Sequence, residues 1–119
     1  LTLPEMPSFP KSKPVRSKPY LSLVAGMSCR FCGLEGASQA AHGPSLGKSI
    51  KASDTETFAL CCERGNNHHW MFDNYRLFDR EERAKVAAVW VQDTQAELIA
   101  RSWEDHRVRD VLRKVGLVA

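Results

Sequence analysis

The chain has 119 residues, of which 43% are hydrophobic and 26% charged, with a formal net charge of +3. This length supports one modest core, and the composition argues against a disordered chain; the longest apolar run, Val86 to Val91, is far too short to span a bilayer. The small positive balance accommodates an anionic partner without demanding one.

Residues 1–19 hold Pro4, Pro7, Pro10, Pro14 and Pro19 together with Lys11, Lys13, Arg16 and Lys18. Proline removes amide donors and fixes φ, so this segment is expected to be an extended basic arm. It lacks the apolar stretch of a signal peptide, and the expected compartment is the cytosol. In that compartment four cysteines point to a metal site rather than to disulfides. Tyr20 to Val24 is expected to form a short helix leading into Cys29-x-x-Cys32, a turn that places two thiolates on one knuckle and supplies half of a tetrahedral zinc site.

Residues 33–53 are rich in Gly, Ser and Ala and read as a loop interrupted by short strands. Thr55 to Leu60 suits a strand that delivers Cys61. The segment "ERGNN" follows, and helix is expected from His68 onward, with Asn66 or Asn67 as cap. Further on, Asp79-x-x-Glu82 and Thr94-x-x-Glu97 both have the form of capping boxes, predicting helices near 80–91 and 95–102. Val108, Val111, Leu112 and Val115 mark a last helix that Gly116 can end. The organisation is α+β, with a metal-organised core over about 20–78 and a helical tail over about 79–116.

Cys61 and His68 can complete the zinc set begun by Cys29 and Cys32, with Cys62 as the alternative third ligand. His69 and Asp73 stand four apart, so on a helix they share a face suited to a divalent ion that keeps positions open for water and phosphate. A simpler alternative is one structural zinc, with Asp73 a solvated helix residue. His42 lies between the two halves of the ligand set and is a candidate general base. Lys48 and Lys51 can contact phosphate, and Asp54 can brace their loop. His106 is read as structural, and Trp70, Trp90 and Trp103 as core or helix-packing residues.

Taken in order, Arg16-Ser17…Tyr20-Leu21…Val24, Cys29-x-x-Cys32-Gly33, Ala41-His42, Lys51-x-x-Asp54, Leu60-Cys61 and His68-His69…Asp73 resemble the small phage and prophage nucleases of the HNH, or ββα-metal, superfamily, including recombination-associated members. The resemblance covers about residues 16–75. It implies a β-hairpin and helix gripping one catalytic divalent ion, Mg²⁺ or Mn²⁺, beside a structural zinc. By that likeness His42 matches the general base, His69 and Asp73 the catalytic-metal ligands, and Cys29, Cys32, Cys61 and His68 the zinc set. The placement of Asp54 seven residues before Cys61 favours Cys61 over Cys62. The implied activity is hydrolysis of DNA phosphodiester bonds to 5′-phosphate and 3′-hydroxyl ends. Relatives place two residues between the third and fourth zinc ligands where this chain has six, so "ERGNN" is expected to bulge out; many also carry Asp or His where this chain has Ala41. The alternative function is a noncatalytic, zinc-stabilised DNA-binding or phage assembly module. A thiol redox protein using Cys29-x-x-Cys32 is disfavoured because no thioredoxin-like βαβ context accompanies it.

Overall fold

The structure, a computed structural model, describes residues 14–44 and 52–119. Most of the basic arm, Lys48 and Lys51 therefore lie outside the described residues. The chain begins with the expected short helix, α1 (Lys18–Ala25), whose start is set by Ser17: its hydroxyl accepts from the Tyr20 amide, and Pro19 needs no donor in the first turn. Tyr20 and Val24 point from α1 into the protein and are fully buried.

Strands β1 (Ser38–His42) and β2 (Thr57–Cys61) form a two-stranded antiparallel sheet with Ala40 opposite Ala59 and His42 opposite Thr57. Every residue of β2 is buried, because helices cover both of its faces. On one face, Ala41, Phe58 and Leu60 join Phe72, Ala87 and the partly buried Trp90 and Phe78. On the other, Ala40 and Ala59 meet Tyr20, Val24, Leu98, Val108 and Leu112. Neighbouring side chains of a strand alternate between faces, and this alternation sends Ala41 to one cluster and Ala40 to the other.

Helix α2 (His68–Asp73) starts at Asn67, as expected, though not through side-chain capping. Asn67 instead adopts the left-handed conformation, φ 59° and ψ 31°, which Asn tolerates better than most residues. The Asp79–Glu82 capping box forms as read from the sequence and opens α3. The second box does not form: α3 (Arg80–Ser102) is one continuous helix. Thr94 lies fully buried inside it, on the same face as Ala87 and Leu98, and Glu97 turns outward to accept from Arg30 at 2.6 Å. Burial of that apolar face outweighs the local capping preference of Thr94. The last helix, α4 (His106–Lys114), buries Val108 and Leu112 and ends with Gly116 in the left-handed region. Since α3 contributes to both clusters, the helices are part of the core rather than a tail appended to it.

Candidate metal centre and neighbouring polar sites

The knuckle is shaped by its backbone. The Gly33 amide donates to the Cys29 carbonyl at 2.7 Å and the Cys29 amide to the Leu34 carbonyl at 3.0 Å, closing a tight turn in which Gly33 takes φ 78°. β2 brings Cys61 to this turn, and the start of α2 brings His68. The ligand atoms of Cys29, Cys32, Cys61 and His68 all lie within 4.8 Å of one another. His68 Nδ1 is 3.3 Å from Cys61 Sγ and 3.8 Å from Cys29 Sγ, while Cys32 and Cys61 Sγ are 3.9 Å apart. Zn–S bonds of about 2.3 Å and a Zn–N bond of about 2.0 Å in a tetrahedron place the ligand atoms roughly 3.5–3.8 Å apart. The observed separations match that figure and are far too long for a disulfide. The four residues can hold a metal such as zinc. Cys62 stands outside the group, its thiol paired with Arg64, which resolves the choice between the adjacent cysteines in favour of Cys61.

The segment after Cys62 does not bulge away from this centre but wraps it. At Gly65 an added Cβ would fall 2.6 Å from Leu34 Cδ2 and 3.0 Å from Cys61 Cβ, so only glycine fits without displacing its neighbours. This close approach lets the Asn66 backbone amide donate to Cys61 Sγ at 3.4 Å and its side-chain amide to Cys32 Sγ at 3.5 Å. The Cys32 thiol is pushed down to about 6, with the Asn66 hydrogen bond the largest cause, whereas burial pushes the Cys29 thiol up. Phe31 packs edge-on against the His68 ring at 4.6 Å between centroids and restrains its orientation.

One residue further along α2, His69 faces β1. Its Nδ1 lies 2.8 Å from Gln39 Oε1, and its Nε2 lies 3.3 Å from Asp73 Oδ2 on the next turn. With Gln39 Oε1 accepting the Nδ1 proton, Nε2 is left facing a carboxylate. An imidazole nitrogen and a carboxylate oxygen at that separation can be joined by a hydrogen bond or can together hold a metal ion. Arg83 Nη2 lies 3.8 Å from the other Asp73 oxygen and helps to fix the carboxylate. The pair opens onto a surface pocket shared with Gln39, Asn67, Trp70, Cys62 and Glu63.

His42 belongs to a different site. Its Nε2 lies 2.9 Å from Asp54 Oδ1, and Asp54 Oδ2 accepts from the Ser17 amide at 2.8 Å, with Arg16 Nη1 3.4 Å from Oδ1. Burial pushes the Asp54 carboxyl up, but the His42 and Ser17 hydrogen bonds and the His42 and Arg16 charges outweigh it and hold the carboxyl below the usual range. An ionised Asp54 can only accept, so Nε2 is the donor in this bond. Gln39 and Ala41 share one face of β1 with α2, while Ala40 and His42 share the other with α1 and its cap. His42 and the His69–Asp73 pair therefore do not converge: they are on opposite faces and offset by three residues, roughly 10 Å along the strand.

The chain matches no family model, no curated protein and no solved structure. Among the described residues, no helix is long and apolar enough to cross a membrane.

Several contributors to these sites escaped the sequence reading. Gln39, Asn66 and Arg83 have no spacing motif; only pairing across the sheet and folding of the 62–67 turn bring them to the ligands. Two tryptophans also differ from expectation. Trp90 is in the core, but Trp70 is 52% and Trp103 75% exposed, each beside an arginine guanidinium, Arg76 and Arg109 respectively.

Proposed function

We propose that the protein is a zinc-stabilised, divalent-metal-dependent endonuclease that hydrolyses DNA phosphodiester bonds. The observation that carries this reading is the His69–Asp73 pair, an imidazole nitrogen and a carboxylate oxygen 3.3 Å apart at a surface pocket, on a helix whose first residue belongs to the zinc set. Octahedral coordination at about 2.1 Å places adjacent ligand atoms about 3.0 Å apart, close to the observed separation, and two protein ligands leave positions for water and phosphate oxygen. An Mg²⁺ or Mn²⁺ ion held there would polarise the phosphoryl group and stabilise the leaving oxygen. His42, the general base expected from the sequence, is oriented by Asp54 on the other face of β1, out of reach of an ion at His69 and Asp73.

The position of His42 favours a second reading, a zinc-stabilised module that binds DNA without cleaving it. In that case His42 and Asp54 only tie β1 to the α1 cap. The deciding assay incubates the zinc-loaded protein with single-stranded, duplex and branched DNA in Mg²⁺ or Mn²⁺, beside His69→Ala, Asp73→Ala and His42→Ala. Metal-dependent cleavage lost in the first two folded variants is the expected result. Cleavage that survives His42→Ala would remove that residue from the mechanism and leave the metal pair in place. DNA binding with no cleavage of any substrate would establish the second reading.

A further inference from the structure

Trp70 follows His69 on α2, and its indole is half exposed at the rim of the pocket that contains His69 and Asp73. Leaving a large indole half in water forgoes much of its burial energy. The chain then turns sharply. Tyr75 takes φ 57°, unusual for an aromatic residue, and the Arg76 amide donates back to the Met71 carbonyl at 2.8 Å. Arg83 lies 5.0 Å from the Tyr75 ring and holds this turn in place. As a result the Arg76 guanidinium lies over one face of the half-exposed Trp70 ring, 5.9 Å from its centre, and a base would stack on the other face. Asn67 also lines the pocket; its side chain makes no capping bond and has no hydrogen-bond partner among the described residues, which leaves one carbonyl acceptor and two N–H donors available to a ligand.

We propose that this pocket receives an unstacked nucleobase, so that the preferred ligand is single-stranded rather than duplex DNA. Trp70 stacks on the face of the base, the Asn67 amide bonds to its polar edge, and Arg76 meets the adjoining phosphate. An aromatic platform with a flanking cation is the arrangement by which a strand is held without strict sequence preference. With no ion held at His69 and Asp73, the charges suit a base rather than a bare phosphate: Asp73 and Glu63 also line the pocket and disfavour an anion, whereas a neutral base enters freely. A base within a duplex cannot offer its face to Trp70 without first leaving the stack. The proposal rests on the DNA reading above and specifies the form of the substrate.

The test measures binding by the full, zinc-loaded chain without added Mg²⁺ or Mn²⁺, so that it is independent of cleavage. The probes are fluorescently labelled oligo(dT) and a duplex of equal length, read by anisotropy. Wild-type protein should prefer the single strand, Trp70→Ala should weaken that binding about tenfold or more with little effect on duplex, and Trp70→Phe should recover part of the loss. A strand carrying 5-bromodeoxyuridine should crosslink under light to Trp70 in the unaltered protein, a readout that needs no variant to fold. Equal affinity for both forms of DNA, or full single-strand binding by Trp70→Ala, would overturn the proposal while leaving the nuclease reading intact. Binding to neither DNA would overturn the proposal and the DNA reading together.

Discussion

Asn66 stands beside the metal ligands without being one. Its two N–H···S contacts reach Cys61 and Cys32 because Gly65 lets the chain pass close to the cluster. Donors to a coordinating sulfur stabilise its thiolate form, and loss of such an outer contact weakens metal affinity by about tenfold or more. Asn66→Ala is therefore expected to lose zinc about tenfold more readily in a chelator competition, with the backbone contact to Cys61 retained. Asp54 gathers three partners at a buried carboxylate, and its depressed pKa has a definite sign in stability. The ionised, paired carboxylate stabilises the fold above its unfolded pKa of about 3.9, and that contribution is lost as pH falls through the lower folded value. Acid unfolding followed from neutral pH to below about pH 4 should show Asp54→Asn less stable than wild type at neutral pH and less dependent on pH across the acid limb. The sequence marked Asp54 as a loop brace, but its partners, Arg16 and the Ser17 amide, lie 38 and 37 residues away and become visible only in the fold.

Among the elements, α3 shows where local and tertiary preferences diverge. Asp79-x-x-Glu82 caps a helix at an exposed end, where nothing competes, and its motif could be read directly. Thr94-x-x-Glu97 has the same form but falls beneath a buried stripe that keeps the backbone helical through it. The cost is a buried Thr94 hydroxyl with no hydrogen-bond partner among the described residues. Replacing an unsatisfied buried hydroxyl by a methyl of similar size removes a desolvation penalty. Thr94→Val should thus raise thermal stability, by up to about 1 kcal/mol in denaturant titration, with α3 unbroken. A drop in stability would mean that the hydroxyl has a partner, such as a buried water.

At the scale of the whole molecule, the two apolar clusters are held in different ways. One combines side chains of α1, β1, β2, α3 and α4 and needs no metal. The other includes Cys29, Cys61 and Cys62 and lies against a helix of only six residues, far too short to persist by itself. Zinc at the four-ligand set would tie the knuckle, the end of β2 and the start of α2 together. Chelation is therefore expected to lower the melting temperature and to expose the amides of α2 to hydrogen exchange first, with α4 and the second half of α3 protected longest. Uniform loss of protection would show that the clusters fold as one unit.

The sequence by itself determined the α+β class, the short first helix, the strand that carries Cys61, the first capping box, the last helix and Cys29, Cys32 and His68 of the metal-ligand set. These follow from local rules: Cys-x-x-Cys spacing, period-2 and period-3.6 patterns, and residues that satisfy orphaned helix amides nearby. Only the tertiary structure decided between Cys61 and Cys62, merged two expected helices into α3, folded the 62–67 turn over the cluster and put His42 with Asp54 rather than with His69 and Asp73. Each of these depends on which face of a strand or helix is covered by chain distant in sequence, and burial against that distant chain overrides the local pattern.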